Sequence, residues 1–327
     1  LDSDREGHPR EALGEAFARV EAWLENEFDD SKKGVALYTG IGPDWLEALQ
    51  FPVPVRNRIE ISARPIIGPL VQIVEAYRHH GIVLVDREHL RILSVYLNET
   101  VAEHRVETEP YPAPHDVKVG GYSAKDYQRR KAEEVRHFFK EFAREVAEFD
   151  RRYRPDDLIV LGTNENAKHF VAFLPKNLQE KVVHTGSAPA VADAVEPAVI
   201  LERLEPFFRQ QLEQKANRAV QILGERISQS HLAIAGFQDT LRQLQEGRLD
   251  TLVLARDAAM AGAHCMQCGF YLVESDSACP YCGGDLERDV DLAEVVIRLA
   301  QEQDVPIEFV DSDAIADMDG VGGLLRF

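Results

Sequence analysis

Apolar residues recur at steps of three and four along Arg10–Phe28, at Leu13, Phe17, Val20, Leu24 and Phe28. That spacing puts them on one helical face and predicts an amphipathic helix. The pattern then changes. Gly34–Thr39 reads as a strand, and the proline-broken stretch Phe51–Val55 leads to another strand expected around Arg58–Ser62. Leu70, Ile73, Val74 and Tyr77 mark a short helix. Together these elements suggest a small α/β domain over residues 1–80.

A second domain is expected over 81–196. It opens with strand-like runs at Ile82–Asp86 and Arg91–Leu97, close enough to form a hairpin. Thr108–Gly121 lacks periodicity, is rich in proline and glycine, and reads as an exposed loop. Behind it, Val135, Phe138, Phe139, Phe142, Val146, Phe149 and Tyr153 make one apolar helical stripe. Ser123 is placed as its N-cap, with Asp126 three residues on. Strand Asp157–Gly162, helix Glu165–Leu174 and strand Lys181–His184 follow.

The third domain, 197–327, opens with a long helix from about Pro197 to Ser230. Helix Phe237–Gln245 stops at Gly247, and strand Thr251–Ala255 precedes a cysteine-rich insert. Helix Leu292–Glu302 and strand Ile307–Val310 resume the alternation. Alternating helices and strands predict sheets covered by helices on their faces, an α/β fold.

The 327-residue chain has a net charge of −19, which argues against coating nucleic acid through its overall field. One stretch departs from that balance. Val117–Lys140 holds Lys118, Lys125, Arg129, Arg130, Lys131, Arg136 and Lys140 against Asp126, Glu133 and Glu134, a local +4. Directly before this helix stand Gly120 and Gly121, then Tyr122, Ser123 and Ala124. No apolar run reaches the ~18 residues that cross a bilayer, so no membrane partner is expected.

The four cysteines form two close pairs, Cys265-Met-Gln-Cys268 and Cys279-Pro-Tyr-Cys282. Such spacing favours metal binding in a reducing cytoplasm over disulfides. Each Cys-x-x-Cys turns two thiolates onto one ion, and two such knuckles complete a tetrahedral site. Gly269 and Gly283 follow the second cysteine of each pair, where backbone amides must approach sulfur. The ligand set suits a structural Zn2+, with iron as the alternative. The ribbon is expected over 264–284, with His264 as a neighbour of the site.

Two stretches of the third domain carry a resemblance. In Gly236–Asp257, Asp239, Thr240, Leu241, Leu244 and Gly247 follow the pattern of a helix leading into a strand. The tail holds Gly320, Gly322, Gly323, Leu324, Leu325, Arg326 and Phe327. Both resemble the C-terminal domain of the archaeo-eukaryotic peptide chain release factor and Pelota family, and the chain looks most like one of its divergent bacterial members. The resemblance implies a three-domain architecture whose C-terminal domain is an α/β/α sandwich with an inserted zinc ribbon. In release factors the middle domain presents a Gly-Gly-Gln loop, followed by Ser-Ala and a basic helix, to the peptidyl transferase centre. Gly120, Gly121, Ser123 and Ala124 match that loop, and Tyr122 stands where the glutamine would be.

The implied partners are the ribosome, through its rRNA and P-site peptidyl-tRNA, and a translational GTPase bound through the C-terminal domain. The implied activity is peptidyl-tRNA ester hydrolysis. Gly120, Gly121 and Tyr122 would form the working loop, and Lys118, Lys125, Arg129, Arg130 and Lys131 would meet RNA phosphate. A non-hydrolytic occupant of the A site and an RNA-binding module acting off the ribosome are the alternatives. No Asn-Ile-Lys-Ser motif is present, and all four cysteines belong to the metal knuckles, which counts against stop-codon reading. His184, Ser187 and Asp193 lie near one another in sequence, but His184–Ala190 lacks the G-x-S-x-G elbow of a hydrolase and reads as a turn.

Overall fold

The structure is a computed structural model and describes residues 3–42, 44–86, 89–107, 124–162, 166–188, 195–273 and 278–327, with the side chains of 3–9 and 124–132 excepted. In chain order the elements are α1 (Ser3–Asn26), β1 (Gly34–Thr39), β2 (Leu46–Phe51), α2 (Gly68–Ala76), β3 (His80–Val85), β4 (His89–Tyr96) and β5 (Glu99–Glu107). Next come α3 (Ala124–Tyr153), β6 (Asp157–Gly162), α4 (Asn166–Val171), α5 (Lys176–Lys181), β7 (Val182–Ser187) and α6 (Pro197–Ser228). The C-terminal part holds β8 (Ala233–Ala235), α7 (Phe237–Gln245), β9 (Leu249–Ala255), β10 (Ala261–Cys265), β11 (Tyr271–Leu272), β12 (Leu286–Asp291), α8 (Leu292–Glu302), β13 (Ile307–Val310) and β14 (Val321–Leu325). The chain divides into two compact units, one of residues 77–205 and one of 1–76 with 206–327.

The unit of 77–205 is built on a five-stranded sheet in the order β5-β4-β3-β6-β7. β3, β6 and β7 run parallel, while β4 and β5 are antiparallel neighbours at one edge. β4 turns into β5 through Leu97 and Asn98, both at positive φ, the conformation a two-residue hairpin requires. One sheet face is covered by α3, α4 and α5. Phe138, Phe139, Phe142, Val146 and Phe149 of α3 pack there against Val83, Val85, Leu158 and Val160. The apolar stripe of α3 therefore faces the sheet, as its periodicity predicts.

The other unit carries a four-stranded sheet ordered β13-β9-β14-β8. α7 and α8 pack on one face through Phe237, Leu241, Leu244, Val296 and Ala300. The C-terminal half of α6 and the 3-10 turn Ser312–Met318 cover the other through Leu223 and Ile315. The glycine-rich tail is strand β14, inserted between β9 and β8. A Cβ at Gly322 would stand 2.6 Å from Leu223 and 3.1 Å from the Ile234 carbonyl, so only glycine lets α6 sit this close.

Within this unit a buried carboxylate caps α2. The backbone N–H groups of Ile67 and Gly68 donate to Glu294 of α8 at 3.0 Å, satisfying donors that a helix start leaves open. Burial pushes the Glu294 carboxyl above its ordinary value, against the pull of those two N–H groups. Tyr38 adds a second tie, its hydroxyl donating to the Ile66 carbonyl at 2.6 Å.

Three expectations need correction. Arg58–Ser62 has no regular secondary structure and joins no ladder, and β1 pairs instead with β2. The alternation of Ile59 and Ile61 resembles a strand, yet both are exposed, while Arg58 pairs with Glu60 and reaches Asp291. Charge, not pairing, places this segment. The helix expected over Glu165–Leu174 is the shorter α4, followed by a second short helix, α5, which starts after Pro175. The strand expected at Lys181–His184 begins one residue later and runs on to Ser187.

Candidate metal centre and basic helix

The insert between β9 and α8 is a three-stranded antiparallel sheet in the order β11-β10-β12. Cys265 closes β10, and its backbone N–H donates to the Phe270 carbonyl. In each knuckle a tight turn brings a glycine N–H back to the first cysteine: Gly269 donates to the Cys265 carbonyl at 2.9 Å and Gly283 to that of Cys279 at 2.8 Å. Both glycines have positive φ, 77° and 74°, a region where a Cβ is penalised. The Cys268 N–H also approaches the Cys265 sulfur at 3.4 Å.

These turns gather Cys265, Cys268, Cys279 and Cys282 so that all four sulfurs lie within 4.8 Å of one another. Cys265 and Cys282 are 3.5 Å apart, Cys268 and Cys279 3.6 Å. A tetrahedral zinc with Zn–S bonds of about 2.3 Å has sulfur–sulfur edges of about 3.8 Å, so the spacing fits such an ion.

Without an ion the thiols differ in acidity. The backbone N–H of Cys268 draws Cys265 down to about 6. The Phe270 N–H pulls Cys268 in the same direction, but burial and the neighbouring thiols outweigh it and push that group up to about 12. Four thiolates this close repel one another, so only a bound cation lets all of them ionise. The cluster is compatible with a zinc site closed by four protein ligands. His264 is not among them. Its ring stacks on Tyr271 with centroids 4.5 Å apart, and its Nδ1 lies 3.4 Å from Glu287.

The second candidate region is α3. Gly120, Gly121, Tyr122, Lys118 and Ser123 lie outside the described residues, as do the side chains of Lys125, Arg129, Arg130 and Lys131. From Glu133 onward the outer face is defined. Arg136, Lys140 and Arg144 follow one another at steps of four, and all are exposed. Among the described residues no carboxylate pairs with these three, whereas Glu141 lies 3.4 Å from His137 and Glu145 accepts from His104 at 2.9 Å. Positive charge thus continues along the side of α3 away from its phenylalanines. Sequence reading took the basic run only as far as Lys140; the four-residue step to Arg144 was the available signal.

Residues 65–209 match the model of bacterial archaeo-eukaryotic release factor family 10. This span includes the Gly-Gly stretch, α3 and the middle sheet. An uncharacterized protein of Mycobacterium tuberculosis is 22% identical over 283 residues, covering 84% of this chain and 72% of that protein. Peptide chain release factor subunit 1 of Methanosphaera stadtmanae is 22% identical over 331 residues, 90% of this chain and 79% of that one. The solved structure of Saccharomyces cerevisiae Dom34, a translation termination-like factor, aligns with a TM-score of 0.45 at 8% identity over 81% of this chain and 69% of that chain. The family model spans the middle sheet and its basic helix, and the release factor relative extends the likeness over nearly the whole chain: residues 65–209 match a bacterial family of archaeo-eukaryotic release factors, and the chain as a whole is similar to archaeal release factor subunit 1.

Proposed function

We propose that the protein is a ribosome-binding translation factor of the peptide-release or ribosome-rescue type. The observation that carries this reading is the family match over residues 65–209, which contains the Gly120-Gly121-Tyr122 stretch and the basic helix behind it. In this reading α3 acts as a lever. Its phenylalanine stripe is fixed to the sheet. Its outward arginines and lysines meet rRNA phosphate, and its N-terminal end carries the loop into the peptidyl transferase centre. Phosphate contacts of this kind position a protein without selecting sequence.

The chemistry at the tip is ester hydrolysis of peptidyl-tRNA. It needs a positioned water and donors for the tetrahedral oxyanion. Gly120 and Gly121 allow backbone torsions that bring a main-chain N–H to the reacting carbonyl. Tyr122 offers one hydroxyl, which both donates and accepts, and a ring that stacks on a base. The four thiolates hold Zn2+, which supplies a cross-link between the two knuckles and no chemistry, because no coordination position is open. The C-terminal sandwich is the surface for a translational GTPase, and the protein works in the cytoplasm.

A second reading rests on Tyr122, which stands where the resemblance implies glutamine. A factor without that amide occupies the A site and leaves the ester intact. One assay separates the two. Ribosomes with labelled peptidyl-tRNA in the P site and an empty A site receive the protein or its Gly120→Ala/Gly121→Ala variant, and released peptide is counted. Release that the double variant loses supports the hydrolytic factor. Binding without release supports the occupant. Absence of both sinks the ribosomal reading.

A further inference from the structure

The second face of the five-stranded sheet carries a cleft of about 260 Å3, lined by Leu84, Leu161, His184, Gly186, Ser187 and Arg203 among others. Its place in the topology is informative. Leu84, Leu161 and Gly186 are each the penultimate residue of β3, β6 and β7, the three parallel strands. The cleft therefore lies at their carboxyl ends. Helices α3, α4 and α5 cover the opposite face, and among the described residues this face is met after β7, where Ile200 and Leu204 of α6 form a wall. In open α/β sheets, ligands bind outside the carboxyl ends of the strands.

A bulge builds the floor. Val182 pairs with Leu158, but the next pair is His184 with Ile159, so Val183 is the extra residue. Side chains alternate between faces along a strand. Without the bulge, His184 and Gly186 would share the face of Val182 and Leu158, inside the phenylalanine core. The shift moves them to the face of Ile159 and Leu161, which is how a bulge re-aims a side chain. A Cβ at Gly186 would stand 2.9 Å from His184 Nε2 and 3.1 Å from Leu161, so this glycine gives the imidazole its room.

Among the described residues the charge is one-sided: Arg203 and His184 line the cleft, and no carboxylate does. Among the described residues no ion pair engages the exposed Arg203. Ser187 is also exposed and adds a hydroxyl. Apolar walls with a few convergent polar groups are the composition of a small-molecule site.

We propose that this cleft binds a small anion with a flat apolar body. The anionic group meets Arg203 and Ser187 at the mouth. The body lies against Leu84, Leu161 and Leu204, with a His184 ring nitrogen as its polar contact. The site is independent of the loop at Gly120 and does not need the ribosome. Phosphate and carboxylate both satisfy the guanidinium, and the test separates them.

Calorimetry on the purified full chain would use two pairs of probes: adenosine 5′-monophosphate against adenosine, and indole-3-acetate against indole. We expect one anion to saturate below about 1 mM, with its uncharged counterpart at least about tenfold weaker, as a single charge-assisted hydrogen bond gives. Arg203→Ala should weaken the anion by about the same factor and leave the circular dichroism spectrum unchanged, since that side chain is exposed. Gly186→Ala should weaken it as well, by displacing His184. The proposal is overturned if neither anion saturates, or if Arg203→Ala and Gly186→Ala both bind as the parent does. Either result leaves the ribosomal assay untouched.

Discussion

The middle sheet and the cysteine insert achieve order by opposite means. The sheet of 77–205 buries a continuous layer of large side chains, with Phe139, Phe142, Phe170, Val146 and Leu158 fully out of water. Its stability is spread over many contacts, each modest and none indispensable. Among the described residues, the buried core cluster of the insert is Cys265, Leu272 and Cys279, with Leu286 packed beside them. A core that small cannot offset the entropy of ordering its three strands. In the proposed zinc site a few strong bonds to an ion replace many weak ones between carbons, which is how a short excursion holds its shape inside a larger domain.

The largest expected effect follows from that contrast. Metal removal by a chelator, or Cys265→Ser, should unfold the insert, because binding free energy on the order of 10 kcal/mol is folding free energy in such sites. Elemental analysis should find one zinc per chain in the parent. Hydrogen exchange should then show loss of protection confined to β10, β11 and β12, with the middle sheet unchanged. Two-unit unfolding on chelation would break the comparison.

Next in size, Phe142→Ala should cost the middle unit about 3–5 kcal/mol, the price of a cavity in a packed layer. Urea titration followed by circular dichroism would measure it, and zinc content should stay the same. A loss below about 1 kcal/mol would mean that α3 packs more loosely than its burial indicates.

Acidification should separate the two units. Burial holds His79 below its ordinary 6.5, so its contribution is complete above that value and is lost as pH falls through the depressed folded one. Burial alone would raise Glu103, but hydrogen bonds from Arg91 and Arg105 hold it below its ordinary 4.5. Its contribution is therefore lost on further acidification. Glu294 in the other unit has the opposite sign. Its raised pKa works against folding at neutral pH, and that penalty is relieved as pH falls through the folded value. Both tryptophans, Trp23 and Trp45, belong to the unit of 1–76 with 206–327. In urea titrations between pH 7.5 and 5, the dichroism midpoint should fall further than the tryptophan midpoint. An equal fall would remove the asymmetry.

The smallest effect sharpens the knuckle geometry. Gly269→Ala places a Cβ at a φ of 77°, at a cost of about 1–2 kcal/mol. Zinc affinity in a competition titration should drop by roughly tenfold, with the fold retained. An unchanged affinity would mean that the turn relaxes out of the left-handed region.

Much of this was legible in the chain itself. The spacing of Val135, Phe138, Phe142, Val146 and Phe149 fixed the buried face of α3, because helical period alone decides which side chains align. The two Cys-x-x-Cys pairs with their trailing glycines were equally readable, since a knuckle is built from consecutive residues. Elements that depend on distant partners were not. Leu46–Phe51 carries no strand pattern of its own and becomes β2 only by pairing with β1. The tail Gly320–Phe327 reads as a family motif, but its place as a strand between β9 and β8 depends on Leu223, about a hundred residues earlier. The same limit hid the cleft. His184, Ser187 and Arg203 give no joint signal in sequence, and the face His184 takes is set by a single unpaired residue, Val183. The sequence by itself determined the local periods and the cysteine spacing that gathers four sulfurs. Tertiary structure decided which strands pair, which carboxylate caps α2 and which face His184 lines, because each depends on residues that meet only when the chain has folded.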